Sequence, residues 1–292
     1  MSEETLYTVK HSTTYEYTAP VVVSHHVARL EPRTNARQRR EAFELNIVPE
    51  PLLRKTRTDY FGNQLCFFSI QQVHRRLEIA ATSRVLVSDP KDPGGEVSPP
   101  WEVVAQMFLD PVAPERVEPL QFVFNSPQAS ASFELAEYAQ ASFGKGLPLL
   151  AGATDLTRRI HEDFAYDPKA TTVATPLEEV LKKRRGVCQD FAHLAIGCLR
   201  SVGLPARYVS GYLRTHPPEG RTRRLGADAS HAWFSVYDPD CGWVDFDPTN
   251  NLRPAGEHIT VAYGRDFGDV SPVAGVLTGG GSHTLKVSVD VA

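Results

Sequence analysis

Three side chains in the C-terminal half of the chain have the types and spacing for nucleophilic acyl transfer. The first is Cys188, within Gly186–Val187–Cys188–Gln189–Asp190. Helical spacing from Cys188 reaches Phe191, Ala192, Ala195, Leu199 and Val202, all apolar. This predicts a buried helix from Cys188 to about Val202, with the cysteine in its first turn on the core-facing side. At that end of a helix the dipole and free N–H groups stabilise a thiolate, the nucleophilic form of the side chain. The same N–H groups can receive the oxyanion of a tetrahedral intermediate. A cysteine at a helix start is, taken alone, more often a packing residue than a nucleophile.

The second and third are His231 and Asp247. His231–Asp238 reads as a strand, Asp238–Pro239–Asp240–Cys241–Gly242 as a turn, and Trp243–Asp247 as the returning strand. A hairpin centred on Pro239 sets His231 opposite Asp247, on one face of the sheet. A carboxylate there would accept the imidazole proton and fix the tautomer that acts as base. A one-residue slip would move the carboxylate to the other face. Asp245 has the same parity as Asp247 and competes for the role. Taken singly, His231 fits a satisfied strand histidine and Asp247–Pro248 a turn cap. Taken together, the three follow the order nucleophile, base, orienter.

Weaker candidates surround them. Tyr166 could donate its phenol to the oxyanion, or serve as a core or rim aromatic. Gln189 offers its backbone N–H beside Cys188. Trp233 shares a face with His231 and could shield the site, although plain packing explains it as well. His193, Cys198 and Cys241 read as structural. No CxxC pair or other metal-ligand spacing occurs, so no metal and no cofactor are expected.

These residues need a rigid frame. Further helices are expected after Ser130–Ser132, over Thr154–Phe164, and after a Thr175 cap with Pro176 at the first helical position. Strands are expected over Ala206–Leu213 and Thr284–Val291, the latter presenting Leu285, Val287, Val289 and Val291 on one face. Helices followed by antiparallel strands indicate an α+β domain over residues 128–292. Before it, Tyr7–Tyr17, Ala42–Val48, Leu65–Ile70 and Leu77–Val87 alternate as strands, with a turn at Asp59–Asn63. They predict a small β-sandwich over residues 1–88. Residues 89–127 carry eight prolines and read as a connecting segment without long elements.

Composition bounds the partners. Hydrophobic residues make up 41% and charged residues 23%, an ordinary globular balance, and the formal net charge is −4. The basic runs at 37–40, 182–185 and 221–224 are short and read as solvated faces, so no nucleic-acid partner is expected. No apolar run approaches the roughly 18 residues of a membrane span, and the acidic start has no signal core behind it. A cytoplasmic protein without a membrane partner is expected, its oligomeric state open.

Three blocks carry a resemblance. Gly186–Val187–Cys188–Gln189–Asp190, Ser230–His231–Ala232–Trp233 and Gly242–Trp243–Val244–Asp245–Phe246–Asp247–Pro248–Thr249–Asn250 are similar to the signature blocks of the transglutaminase-like superfamily. Asp59–Tyr60–Phe61–Gly62–Asn63 and the segment Tyr263–Pro272 resemble its bacterial cysteine-protease subgroup. The resemblance implies a papain-like α+β core behind a β-sandwich, and assigns nucleophile, base and orienter to Cys188, His231 and Asp247. It favours Asp247 over Asp245. It implies a peptide or carboxamide substrate on a peptide or protein, and a thioester resolved by water or by an amine. Water is the default acceptor. A protease or amidase is thus expected, with a protein-glutamine transglutaminase and a silent binding module as alternatives. No EF-hand-like loop is present, so no calcium requirement is expected.

Overall fold

The computed structural model describes residues 4–89, 98–109, 113–215 and 229–292. The basic run at 221–224 and Pro90, Pro93 and Pro111 lie outside the described residues. The chain begins with β1 (Glu4–Ala28), β2 (Gln38–Val48), β3 (Leu53–Thr58), β4 (Gln64–Ile70) and β5 (His74–Ser88). Short helices α1 (Trp101–Gln106) and α2 (Val117–Leu120) interrupt the proline-rich segment. Then come α3 (Phe133–Gln140), α4 (Leu149–Asp163), β6 (Ala165–Tyr166), α5 (Leu177–Lys183), β7 (Arg185–Gly186) and α6 (Cys188–Ser201). The last third holds β8 (Ala206–Leu213), β9 (Ala229–Asp238), β10 (Gly242–Phe246), β11 (His258–Gly264), α7 (Phe267–Val270), β12 (Val273–Gly279) and β13 (His283–Val291).

The period-2 pattern does what it predicts in the N-terminal region. In β1, Tyr7, Val9, His11 and Thr13 are buried in alternation, as are Leu77, Ile79, Ala81, Ser83, Val85 and Val87 in β5. β1 runs further than its sequence suggests. It pairs with β5 up to Glu16, breaks register to meet β5 once more at Val21, and then pairs with β12 from Val21 and with β4 from Ser24. Leu45, Ile47, Leu77 and Ile79 then bury together with Phe68 and Ile70 of β4, so the sheet folds over on itself around a small core.

The last strand sits elsewhere than the domain reading implied. Residues 128–292 were expected to keep their C-terminal strand. Instead β13 lies along β1, from Val9↔Val291 to Tyr17↔His283, in a seven-stranded sheet built from both chain ends. Of its four face residues only Val289 and Val291 are buried, while Leu285 and Val287 are about half exposed, at 52% and 51%. Alternation marks a strand but does not name its neighbour.

The second sheet has the order β10-β9-β8-β11, and α6 packs across β8 and β9. Eleven of its fourteen residues are buried, since both helix and sheet faces are covered. Tyr7, Val9, Val85 and Val87 of the N-terminal sheet join the same core as α6 and β9. β11 is an edge of the second sheet, and two amide side chains cover it. Gln38 donates to the Thr260 carbonyl at 2.8 Å and accepts from its N–H at 2.8 Å. Asn63 donates to the Tyr263 carbonyl at 2.7 Å and accepts from its N–H at 2.8 Å. Each amide mimics a strand residue and closes the edge.

Helix ends differ in detail from expectation. Ser132 caps α3 by accepting from the Leu135 N–H. At α5 the N-cap position is Pro176, and the Thr175 hydroxyl accepts the Thr172 N–H instead. α4 starts at Leu149, a turn before Thr154, because Leu149, Leu150 and Ala153 bury against the core.

Candidate active site

Cys188 is the first residue of α6 and is half-buried. The short parallel pair β6–β7 leads into it, with Tyr166 opposite Gly186. Asp190 then locks the helix start. Its buried Oδ2 accepts the Val187 N–H at 2.8 Å and the Thr171 hydroxyl at 2.6 Å. Gly186 is required for this approach, because a Cβ there would lie 2.6 Å from that oxygen.

His231 enters from β9, opposite Gly211 of β8. Its side chain is hydrogen-bonded to Asp247, and the Cys188 sulfur lies near enough to help keep the imidazole charged. The Nε2–Oδ2 distance to Asp247 is 2.7 Å, which leaves Nδ1 free of that bond.

Asp247 reaches this position by a different register from the one expected. The β9–β10 hairpin pairs Asp238 with Gly242 and Ser235 with Asp245, so the loop spans Pro239–Cys241 and its centre is Asp240. The cause is local. The Asp238 carboxylate accepts the Asp240 and Cys241 N–H groups, and Gly242 adopts φ +75°. The shift amounts to two residues across the pair, which preserves the face. Asp247 therefore lies one residue beyond the last rung on the His231 face. Asp245 is engaged elsewhere, accepting from Ser235 and pairing with Arg37 at 3.3 Å.

The surroundings of Asp247 are dense. Its carboxylate is buried (0% exposed) and Oδ1 accepts the Thr249 and Asn250 N–H groups at 2.9 and 3.2 Å. Oδ2 accepts from His231, from Asn250 Nδ2 at 2.7 Å and from His258 Nε2 at 3.1 Å. Sequence reasoning gave neither Asn250 nor His258 a role. Asn250 lies in the Gly242–Asn250 segment, whereas His258 heads β11, whose Ile259–Tyr263 run is β-branched and aromatic. Nothing local to His258 tells that β11 carries it to Asp247.

The electrostatics follow from burial and pairing. Burial works against a charged His231, but the hydrogen bonds and negative charges of Asp247 and Cys188 outweigh it and raise the imidazole to about 10. Burial likewise opposes the Asp247 carboxylate, and the donors from His231, His258 and Asn250 overcome it and hold that group well below the usual range. An imidazolium held between a sulfur and a carboxylate is thereby favoured.

Trp233 is buried (0% exposed) under this line, its ring 6.1 Å from His231 and edge-on to His258 at 5.2 Å. A Cβ at residue 211 would lie 2.4 Å from the indole, so Gly211 makes room for it. Tyr166 is 57% exposed at the rim, its phenol raised by partial burial and by the Cys188 charge. Gln189 is half-buried beside Cys188. His193 is buried and accepts the Phe267 N–H. Cys198 is fully enclosed in the core, with its thiol pushed up to about 12 by burial, and Cys241 is exposed in the hairpin turn. His231, Asp247 and His258 bring donor atoms within 4.8 Å of one another. The two imidazoles share Oδ2 through N–H donors, which closes the group as an acid–base network.

Comparison with known proteins agrees with this architecture. Residues 7–86 match the bacterial transglutaminase-like N-terminal region, and residues 136–248 match the transglutaminase-like superfamily core. An uncharacterized protein of Mycobacterium tuberculosis is 42% identical, over 98% of this chain and 92% of its own. An uncharacterized protein of Mycobacterium leprae is 32% identical, over 97% of each chain. A protein-glutamine gamma-glutamyltransferase of Pseudomonas aeruginosa is 32% identical over 44% of this chain and 19% of its own. The solved structure of a candidate cysteine protease from Cytophaga hutchinsonii superposes with a TM-score of 0.77 at 21% identity, covering 100% of this chain and 92% of that one. Both halves of the fold and the near-full-length relatives lead to one assignment: the chain belongs to the transglutaminase-like superfamily, with the bacterial N-terminal region.

Proposed function

We propose that this protein is a cysteine-nucleophile acyl-transfer enzyme acting on peptide bonds or carboxamides, with water as acceptor. The observation that carries the reading is the His231–Asp247 hydrogen bond at 2.7 Å beside Cys188, which sits at the first turn of α6 and near enough to help hold the imidazole charged. Cys188 is the nucleophile, His231 the acid and base, and Asp247 the orienter. The thiolate attacks the carbonyl carbon and forms the C–S bond, and N–H groups at the start of α6 receive the oxyanion. His231 gives its proton to the departing nitrogen as the C–N bond breaks, leaving a thioester. Water then loses a proton to His231 and attacks the thioester, releasing a carboxylic acid and restoring the thiol–imidazole pair.

An amine in place of water gives transamidation, a reading favoured by the similarity to the Pseudomonas transferase. One experiment separates the outcomes. Peptide libraries containing glutamine are incubated with and without a labelled primary amine, and products are read by mass spectrometry. Cleavage or deamidation without incorporation is the expected result. Amine incorporation in excess over hydrolysis replaces water as acceptor. Should neither appear, with Cys188 alkylated by iodoacetamide no faster than Cys66, Cys198 and Cys241, the protein is a binding module and the proposal fails.

A further inference from the structure

The carboxylate of Asp247 is oversubscribed. A carboxylate offers about four lone-pair positions, two on each oxygen. Here five N–H donors converge on it, two on Oδ1 and three on Oδ2. The donors on Oδ2 come from three places: His231 on β9, Asn250 in the turn after β10, and His258 on β11. Two of these are imidazoles competing for one oxygen. Donors that share an acceptor each weaken the others, because the electron density that binds one proton is already drawn toward the next.

We propose that His258 is a positioning residue for the candidate acid–base pair: by donating to Asp247 Oδ2, it limits how strongly that carboxylate binds the proton on His231. The inference deepens the acyl-transfer reading and rests on it. Its chemical sense lies in the two jobs of His231. As imidazolium it must surrender a proton to a leaving amine, and a carboxylate undivided in its attraction would make it too weak an acid. His258 draws off part of that attraction without displacing Asp247, which stays anchored by two backbone N–H groups and by Asn250.

The fold holds His258 firmly enough to do this. Its ring is 3% exposed and meets the Trp233 indole edge-on. Its backbone N–H donates to the Ala255 carbonyl at 3.0 Å. The strand that carries it, β11, has its open edge closed by Gln38 and Asn63 from the N-terminal region. Among the described residues, the titratable neighbours of His231 are Cys188 of α6, and Asp247 and His258 on its Nε2 side. Tyr166 of β6 and Tyr208 of β8 respond to the Cys188 charge, Asp190 lies two residues along α6, and His161 of α4 bonds the Thr249 carbonyl. Of these, Asp247 accepts from Nε2, and His258 donates to the same carboxylate oxygen.

The test needs no substrate. Alkylation of Cys188 by iodoacetamide, followed by peptide mass spectrometry across pH, shows a plateau where the thiolate–imidazolium pair exists and an alkaline inflection where His231 loses its proton. H258F, or H258L should the first not fold, removes the competing donor. H258Q keeps an N–H donor of similar reach. The alkaline inflection is expected to rise by about half a pH unit or more in the apolar variant and to stay at the wild-type position in H258Q. An inflection that is unmoved or lowered in the apolar variant overturns the inference, as does an equal rise in H258Q, which would assign the effect to packing. A wild-type protein without any plateau overturns the acyl-transfer reading itself, and this inference with it.

Discussion

At the scale of single residues, the proposed site sets Cys188 of α6 beside His231 of β9, which is bonded to Asp247 just past β10. Replacing Cys188 with alanine is expected to lower kcat about 10³-fold or more with little change in KM or in thermal stability, measured on whichever peptide the library returns. Asp247→Asn keeps the shape but not the charge. It should cost about 10²-fold or more in kcat, whereas Asp245→Asn, which touches Ser235 and Arg37, should alter stability and leave turnover near wild type. The pair also links stability to pH. His231 is raised in the folded chain, so its contribution is fully present below the ordinary histidine value and is lost as pH climbs from there through about 10. Asp247 is depressed, so its contribution is present above the ordinary aspartate value and is lost as pH falls through its folded value. Urea unfolding of wild type and His231→Gln should therefore differ most near pH 6 and converge toward pH 10; a gap that widens over that range would contradict the pairing.

At the scale of elements, the positioning of the cysteine depends on close approaches that tolerate no added atoms. Gly186→Ala would push a methyl onto the Asp190 carboxylate that ties the start of α6 to Thr171. Overpacking of this kind costs about 1–3 kcal/mol, and the loss should appear as a lower urea midpoint together with slower alkylation of Cys188. The hairpin teaches a complementary lesson. Its turn was placed on Pro239, and the Asp238 side chain together with Gly242 moved the centre to Asp240. The reading of the face survived because the change in pairing was even, and an odd change would have pointed Asp247 away. β3, rich in Arg and Lys and exposed throughout, went unread because its residues lack any apolar alternation.

At the scale of the whole molecule, the N-terminal sheet and the sheet bearing His231 are not separable modules. β13 returns from the C-terminus to lie on β1, and Val289 and Val291 enter the same core as α6 and β9. Removing residues 273–292 should expose that core and an edge of β1, giving an insoluble or protease-sensitive chain in limited proteolysis. A subtler probe is Asn63→Ala. It would strip the Tyr263 N–H and carbonyl of their partners at the β11 edge, about 1–3 kcal/mol for each buried group left unpaired. Its effect should reach the site through His258, seen as a shifted alkaline inflection for Cys188 as well as a lower melting temperature.

The proposed catalytic residues were legible in the sequence because they depend on residue types at local positions. A cysteine ahead of an apolar helix, a histidine at a strand start and an aspartate of matching parity are each set by spacing within one element or one hairpin, where periodicity is a sufficient guide. Three further features depended on contacts between segments distant along the chain, which periodicity does not encode. Tertiary structure alone brought His258 onto Asp247, set Gln38 and Asn63 against the edge of β11, and laid the last strand beside the first. Side-chain alternation says which face of a strand is buried, and only the packed fold says against what.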